Sequence, residues 1–470
     1  MRTLLAALVV AAIAVGTAVT VASVRLYDGG SSALQPIEVA QTVLWAAFAL
    51  AIVLLRRVPR RAVVALVLAG SAAIGVASLA GPPATSTDSA RYAWDGIVQN
   101  AGISPYRYTP TDPALTALRP TWLFRAPHTD ASYSFAFCTG EGIMLAHEPD
   151  SDVPVCSAIN RADSPTIYPP VAEVLFAAER AIVGPDAQYW PMQLAGLLAS
   201  LAVTVLLLRE LVRRGRDPRW AALWGWCPLV ASEAVNNAHV DVVATLLLVV
   251  ATIAVSRGRR IAGGVALGAA IATKLIPAIG APALLGRKPW GLAAAAIGTF
   301  VIVYLPYVAA DGLGVLGYLP SYLSEEGYDS GSRFALLSLI APGVGATAVA
   351  AVVILGTAIA VWWRTRQSDP WLGQLVMIGV TLLAVTPSNP WYALLLVPMI
   401  AMTGRWEWLA IPLALAGYYL YRDLGWGRLA FALAGILIVA VSVRRAGPSR
   451  VLAGTRGVAA RVFGARANTD

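Results

Sequence analysis

The sequence predicts an all-α polytopic membrane protein, and three observations carry that prediction. Hydrophobic residues make up 58% of the 470 residues and charged residues only 13%, about half of the ~25% charge of a soluble domain. Mean hydropathy is +0.67. Apolar runs long enough to cross a bilayer, roughly 20 residues each, recur along nearly the whole chain with arginine clusters between them.

The run at 3–24 follows Arg2 and is longer than the ~7–15-residue apolar core of a signal peptide, so it reads as the first membrane helix. Further spans are predicted at 38–55, 62–80, 188–208, 220–237, 240–256, 291–309, 345–363, 372–389, 390–404, 408–421 and 428–443. Basic clusters at 56–61, 209–219, 257–260 and 287–288, Arg364 with Arg366, and the tail from Arg444 fall at consistent ends of these runs. By the positive-inside rule they are cytoplasmic, as are both termini. The net charge of +9 resides in these clusters and does not argue for a nucleic-acid partner. The stretch 261–286 holds Lys274, Pro277 and Pro282 and is either two short tilted spans or a re-entrant pair, because non-helical backbone at that depth needs a protein-lined cavity. With it the count is about 12–14 spans. The chain therefore reads as one transmembrane domain over 1–470, multi-pass in the plasma (inner) membrane, with a long extracytoplasmic loop at 81–187 and a basic cytoplasmic tail at 444–470.

Polar chemistry is concentrated on the outer face. No nucleotide-binding glycine loop, zinc spacing or Ser-His-Asp arrangement stands out, so no metal ligand set is assigned and a divalent-ion requirement is left open. In the segment DSARYAWDG at 88–96, Asp88, Arg91, Tyr92 and Asp95 share one helical face, while Trp94, Ile97 and Val98 form an apolar one. Such a helix would lie flat at the membrane surface with its carboxylates toward an outer cavity. The bland alternative is a capping box made by Thr85 with Asp88, and simple pairing of Asp95 with Arg91. The prolines and tyrosines of GISPYRYTP at 102–110, with Tyr106 and Tyr108, and of TIYPP at 166–170, with Tyr168, make stiff walls that suit sugar hydroxyls or an interfacial belt.

Asn237, His239 and Asp241 fall in NNAHVD at 236–241, at the junction of two spans, where polar groups are costly unless used. Lys274 lies in an apolar run, so it either faces a cavity and an anion or snorkels to the surface. Glu325 in the acidic loop 325–329, and Trp391 with Tyr392 in NPWY at 389–392, complete the outer face as sugar contacts or interface anchors. Cys138 and Cys156 share the long loop, and an oxidising compartment would pair them. Cys227 lies in an apolar run as a small buried residue.

These motifs, DSARYAWDG, GISPYRYTP, TIYPP, NNAHVD, TKLIP (273–277) and NPWY, occur in the order seen in bacterial GT-C glycosyltransferases. The chain particularly resembles actinobacterial polyprenyl-phosphomannose-dependent mannosyltransferases, from about residue 85 to about 395 apart from an insertion at 120–160. Relatives often carry an adjacent acidic pair where this chain has Asp88 followed by Ser89. The resemblance implies a GT-C fold and an extracytoplasmic active site. It also implies a polyprenyl-phosphate sugar, most simply mannose, as donor, and a glycolipid or cell-envelope glycan as acceptor. Asp88 would be the general base in an inverting displacement, with Lys274, Arg91 and His239 toward the leaving phosphate. Sugar or acceptor contacts would come from Tyr92, Asp95, Tyr106, Tyr108, Tyr168, Asn237, Asp241, Glu325, Trp391 and Tyr392. Carriers of arabinose or other sugars fit the same motifs.

Two other classes fit parts of the pattern. A lipid-linked sugar transporter or flippase would also show many spans, a lysine at depth and proline-broken helices, but no inverted repeat stands out and the polar residues gather on one face. A scaffold protein would use the outer loop as a binding surface, and leaves Lys274 unexplained.

Overall fold

The computed structural model describes residues 1–23, 34–128, 136–140, 142–365, 369–421 and 423–446. Arg366 and residues 447–470 of the predicted basic tail lie outside the described residues. In chain order the helices are α1 (Arg2–Ser23), α2 (Leu34–Leu55), α3 (Arg60–Ala77), α4 (Asp88–Asn100), α5 (Pro170–Val183), α6 (Trp190–Arg213), α7 (Ala222–Gly225), α8 (Asp241–Ser256) and α9 (Arg260–Thr273). Then follow α10 (Ala281–Leu285), α11 (Trp290–Asp311), α12 (Leu319–Glu325), α13 (Val344–Thr365), α14 (Pro370–Val385), α15 (Val397–Thr403), α16 (Ala410–Tyr421) and α17 (Leu424–Ala446).

Among the described residues, seven helical segments are long and apolar enough to cross a membrane: Arg2–Ser23, Pro36–Leu55, Arg60–Ala77, Trp190–Arg213, Trp290–Glu325, Val344–Thr365 and Leu424–Ala446. The other predicted spans are shorter apolar pieces, and their breaks have local causes. Pro228 interrupts the predicted span at 220–237. Its last turn, Val230–Asn236, is wound as a π-helix and meets α8 at 108°. The stretch 261–286 is α9, a single extended residue at Lys274, and a short 3-10 turn leading into α10. Pro277 and Pro282 prevent α9 from continuing through it. Non-helical backbone at such positions is tolerated where it borders a cavity, which is where Lys274 lies.

Close helix contacts depend on glycine. A Cβ at Gly264 would stand 2.4 Å from the carbonyl oxygen of Leu292, and one at Gly268 2.4 Å from that of Ala296, so this small-residue spacing lets α9 and α11 touch backbone to backbone. Gly196 plays the same part on α6, where a Cβ would meet the Ala234 carbonyl at 2.1 Å. That approach seats the π-helical turn carrying Glu233 and Asn236 against α6.

The arginine clusters gather at one end of the bundle. Arg219 donates to the carbonyls of Leu55 and Val58, Arg257 and Arg213 to Glu210, Arg214 to Asp369, and Arg445 to Glu407. The predicted outer loop lies at the other end. Its insertion folds into a small antiparallel sheet, order β1-β3-β2, from β1 (Phe124–Arg125), β2 (Met144–His147) and β3 (Pro154–Ser157). A disulfide joins Cys138 to Cys156 on β3, and Cys227 is free and buried.

Candidate active site

A cavity of about 750 Å³ opens at the loop end of the bundle. Its lining is polar and charged at Asp88, Arg91, Asn160, Arg161, Lys274 and Glu326, aromatic at Tyr168, Tyr318, Tyr322, Tyr328, Trp391 and Tyr392, and apolar at Leu275, Ile276, Ile279, Leu382 and Val385. A lining that combines apolar side chains with fixed charges suits an amphiphile with an anionic or sugar head.

Asp88 is the first residue of α4. No side chain caps this helix, and the Thr85 hydroxyl instead accepts from Asn237, so the capping-box alternative is not formed. The carboxylate is held from three sides. Asn160 Nδ2 donates to Oδ1 at 2.7 Å, the Tyr168 hydroxyl donates to Oδ2 at 3.3 Å, and His239 Nδ1 lies 3.4 Å from Oδ2. Burial alone would raise its pKa, but the His239 contact, the charges of His239 and Lys274, and the Asn160 bond outweigh it and hold Asp88 well below the usual carboxylate range.

His239 is fully buried between two carboxylates, with Nε2 3.2 Å from Glu233 Oε2, and its ring stacks on Trp391 at 4.0 Å. Neither nitrogen is aimed along a hydrogen bond to its carboxylate. The ring therefore backs Asp88 without lining the cavity. Lys274 does line it, with Nζ 2.9 Å from Asp241 Oδ2 and above the rings of Tyr168 and Tyr392. The ammonium thus faces the cavity and is tethered from behind by a buried carboxylate; the snorkelling alternative does not hold. Arg91 lines the same cavity and donates to the carbonyls of Arg161 and Ser164 at 2.7 and 2.8 Å, pinning the loop that carries Asn160.

Several residues expected to contact sugar lie elsewhere. The α4 helix does not lie flat with a free polar face: it is enclosed from Ser89 to Val98, because α5 covers the side bearing Tyr92 and Asp95. Tyr92 is fully buried and stacks on Phe176. Asp95 accepts from Thr166 Oγ1 at 2.8 Å, and the same hydroxyl lies 2.9 Å from Glu173. One hydroxyl has one proton, so this pair of buried carboxyls keeps a proton of its own. Burial, and then the charge of Asp95, push Glu173 well above the usual carboxylate range; burial raises Asp95 to about 6 against the opposing pull of Arg91.

Tyr106 donates its hydroxyl to the Tyr168 carbonyl at 2.5 Å, and Tyr108 packs on the core beside Trp94. Asn237 is fully buried and bonds Thr85 at both its backbone and its hydroxyl, while its neighbour Asn236 accepts from the Ala84 N–H and donates to the Ser78 carbonyl. The two asparagines hold the segment leading into Asp88. Asp241 is buried behind Lys274. Glu325 pairs with Arg161 at the rim. Of the expected sugar contacts, Tyr168, Trp391 and Tyr392 line the cavity.

Asn160 and Glu233 escaped the sequence reading. Glu233 carried a signal, a lone carboxylate in the apolar run 229–235. Asn160 carried none, since it sits in the insertion and reaches Asp88 only through the turn after β3. Among the described residues, no group of three or more His, Cys, Asp or Glu side chains is placed to hold a metal ion.

Residues 166–388 match the model of glycosyltransferase family 87. The chain is also 27% identical, over 305 residues covering 58% of it and 67% of the relative, to a polyprenol-phosphate-mannose-dependent alpha-(1-2)-phosphatidylinositol pentamannoside mannosyltransferase of Mycolicibacterium smegmatis. No solved structure matches the chain. The family match, this relative and the apolar spans together support an all-α polytopic membrane enzyme of the glycosyltransferase class, similar to the polyprenyl-phosphate-sugar-dependent ones.

Proposed function

We propose that the chain transfers mannose from a polyprenyl-phosphate carrier to a glycolipid or cell-envelope glycan, on the extracytoplasmic side of the plasma membrane, with Asp88 as general base. What supports the reading is the Asp88 carboxylate on the lining of a partly apolar cavity that the Lys274 ammonium, tethered to Asp241, also lines. The relative's use of polyprenol-phosphate-mannose supplies the donor class.

In this reading the acceptor hydroxyl hydrogen-bonds to Asp88 and attacks the anomeric carbon. The bond to the carrier's phosphate oxygen breaks as the new glycosidic bond forms, and the hydroxyl proton passes to Asp88. The lipid phosphate leaves as an anion, so no strong general acid is required. Lys274 and Arg91 stabilise the charge that develops on it. A carboxylate held below its usual range is always ionised at neutral pH, and it accepts the proton only late, when the attacking oxygen has become acidic through bond formation. Attack from the face opposite the phosphate inverts the anomeric centre, so a β-linked carrier gives an α-mannoside. The whole membrane-embedded chain acts as one unit, with 81–187 outside carrying the catalytic region.

The test is incubation of purified protein with synthetic polyprenyl-phosphate mannose, arabinose and glucose, each with and without a glycolipid acceptor. Acceptor-dependent release of lipid phosphate from the mannose carrier is expected. Release from the arabinose or glucose carrier alone would move the donor assignment, and release from none would remove the reading.

A further inference from the structure

A second cavity, of about 600 Å³, lies far from Asp88 and has no part in the proposed transfer. Helices shared with the active site fix its place. Gln193 near the start of α6 bonds the Asn236 carbonyl, whereas Arg213 at the end of α6 lines this second cavity. On α8, Asp241 pairs with Lys274 and Ser256 lines the second cavity; on α14, Val385 lines the first and Pro370 the second. At 1.5 Å per residue the two cavities are separated by roughly 22–30 Å.

The pocket is strongly cationic. Arg213, Arg214, Arg260, Arg287 and Lys288 line it against a single lining carboxylate, Asp369, which pairs with Arg214. Glu210 behind the wall holds Arg213, Arg214 and Arg257. Arg260 is anchored through one terminal nitrogen to the Leu284 and Leu285 carbonyls, yet its Nε is buried without a partner, as is the Ser256 hydroxyl beside it. Arg287 and Lys288 are exposed at the mouth with no hydrogen bond or ion pair among the described residues. A site that fixes several cations, leaves buried donors unused and presents two free cations at its mouth is built for an anion with many oxygens.

Its surroundings say which kind of anion. The mouth lies where α11 begins and α13 ends, flanked by Trp290 and Trp363, which are 82% and 69% exposed, as interfacial aromatic residues are. Away from the pocket, exposed Ile297 and Val301 on α11 and Leu355 and Ile359 on α13 form apolar surface of the sort that meets acyl chains. A soluble phosphate would use the cations and leave this apolar surface unused. We infer that the pocket binds the phosphate headgroup of an anionic membrane lipid, in the leaflet opposite the active-site cavity, with the acyl chains lying along α11 and α13. Basic pockets between membrane helices bind acidic headgroups in this way.

Thermal melting of the full chain in neutral detergent tests the assignment, with added phosphatidylglycerol, cardiolipin, phosphatidylcholine or inorganic phosphate. The variant is Arg287→Gln with Lys288→Gln, two exposed residues whose loss leaves no buried partner; the control is Arg60→Gln with Arg61→Gln, exposed arginines at the start of α3. The anionic lipids should raise Tm for wild type and control. Half-saturation in the 287/288 variant should need about 30-fold more lipid, given the loss of two charges near the surface. An equal Tm rise with phosphatidylcholine, an undiminished response in the variant, or no response in wild type would overturn the proposal. Reproduction of the rise by inorganic phosphate at the same concentration would reassign the site to a soluble anion and overturn the lipid.

Discussion

Lys274 pairs with Asp241 and, in the proposed transfer, holds the donor phosphate; a single substitution confuses the two, and the structure offers a way to separate them. Its Nζ sits 2.9 Å from Asp241 Oδ2, with side-chain exposures of 17% and 1%. Lys274→Ala removes the cation from the cavity and also strands a buried carboxylate whose other oxygen, Oδ1, already lacks a partner. Breaking one half of a buried pair costs about 3–5 kcal/mol, enough to unfold a marginal protein. Lys274→Met with Asp241→Asn avoids that penalty, because the asparagine is neutral and the methionine fills similar volume. Melting should place the double variant near wild type and the single variant well below it. If the ammonium also holds the donor phosphate, donor affinity in the double variant should fall by about 10- to 100-fold, the equivalent of one charge-assisted hydrogen bond at roughly 1.5–3 kcal/mol. Equilibrium binding of radiolabelled polyprenyl-phosphate mannose to the purified variants reads that affinity. A stable double variant with wild-type donor affinity would refute the phosphate role and leave Lys274 only as a partner for Asp241.

Further outcomes follow from the same contacts. Asp95→Asn should leave transfer within about 2-fold, because Asp95 is buried against α5 and away from the cavity; the acid-like amide can still accept from Thr166. A buried acid with its pKa raised to about 6 is favoured when protonated, so its contribution to stability is present below about pH 4 and lost as pH rises through 6. The variant should therefore exceed wild type at pH 8 by up to about 3 kcal/mol, by roughly half of that near pH 5, and match it only below about pH 4, as read by melting. Asp88 runs the other way: its pKa is depressed, so its contribution is present above the unfolded value near pH 4 and lost only as pH falls through the folded one. Transfer rate should accordingly show no acidic limb from Asp88 above about pH 4. Loss of the disulfide through Cys138→Ala with Cys156→Ala should cost about 3 kcal/mol in the chain-entropy model, read by melting, and should lower the rate more than donor affinity, because Asn160 follows Cys156 by four residues.

Much of this arrangement was legible in the chain. The apolar runs and arginine clusters are one-dimensional signals, because every backbone polar group in a bilayer must be satisfied within its own helix, and the clusters do collect at one end. Motif order pointed to Asp88 and Lys274, and both reach one cavity. Helical periodicity put Asp88, Arg91, Tyr92 and Asp95 on one face but could not say what covers it. The partner, α5, lies about 80 residues further on and encloses Tyr92 and Asp95, while Asp88 and Arg91 line the cavity. The cost of polar residues at a membrane edge points to Asn237 and Asp241 as sugar or acceptor contacts; the structure meets that cost internally, with Thr85 and Lys274 as their partners. The predicted spans at 220–237 and 261–286 had sufficient apolar length. Their prolines and the π-helical turn break them, and those breaks put His239 and Lys274 beside Asp88.

In the proposed transfer Asp88 removes the acceptor proton. Asp88→Asn keeps the size of the side chain and an oxygen for Asn160, and no capping bond is lost since none exists. The direct measurement is the transfer rate from polyprenyl-phosphate mannose to a glycolipid acceptor by wild type and Asp88→Asn at saturating donor, with melting and donor affinity measured on the same samples. Turnover should fall by at least ~10²-fold, about 2.7 kcal/mol of barrier, with donor affinity within a few-fold and a folded protein. A folded Asp88→Asn enzyme that transfers mannose at the wild-type rate would contradict it.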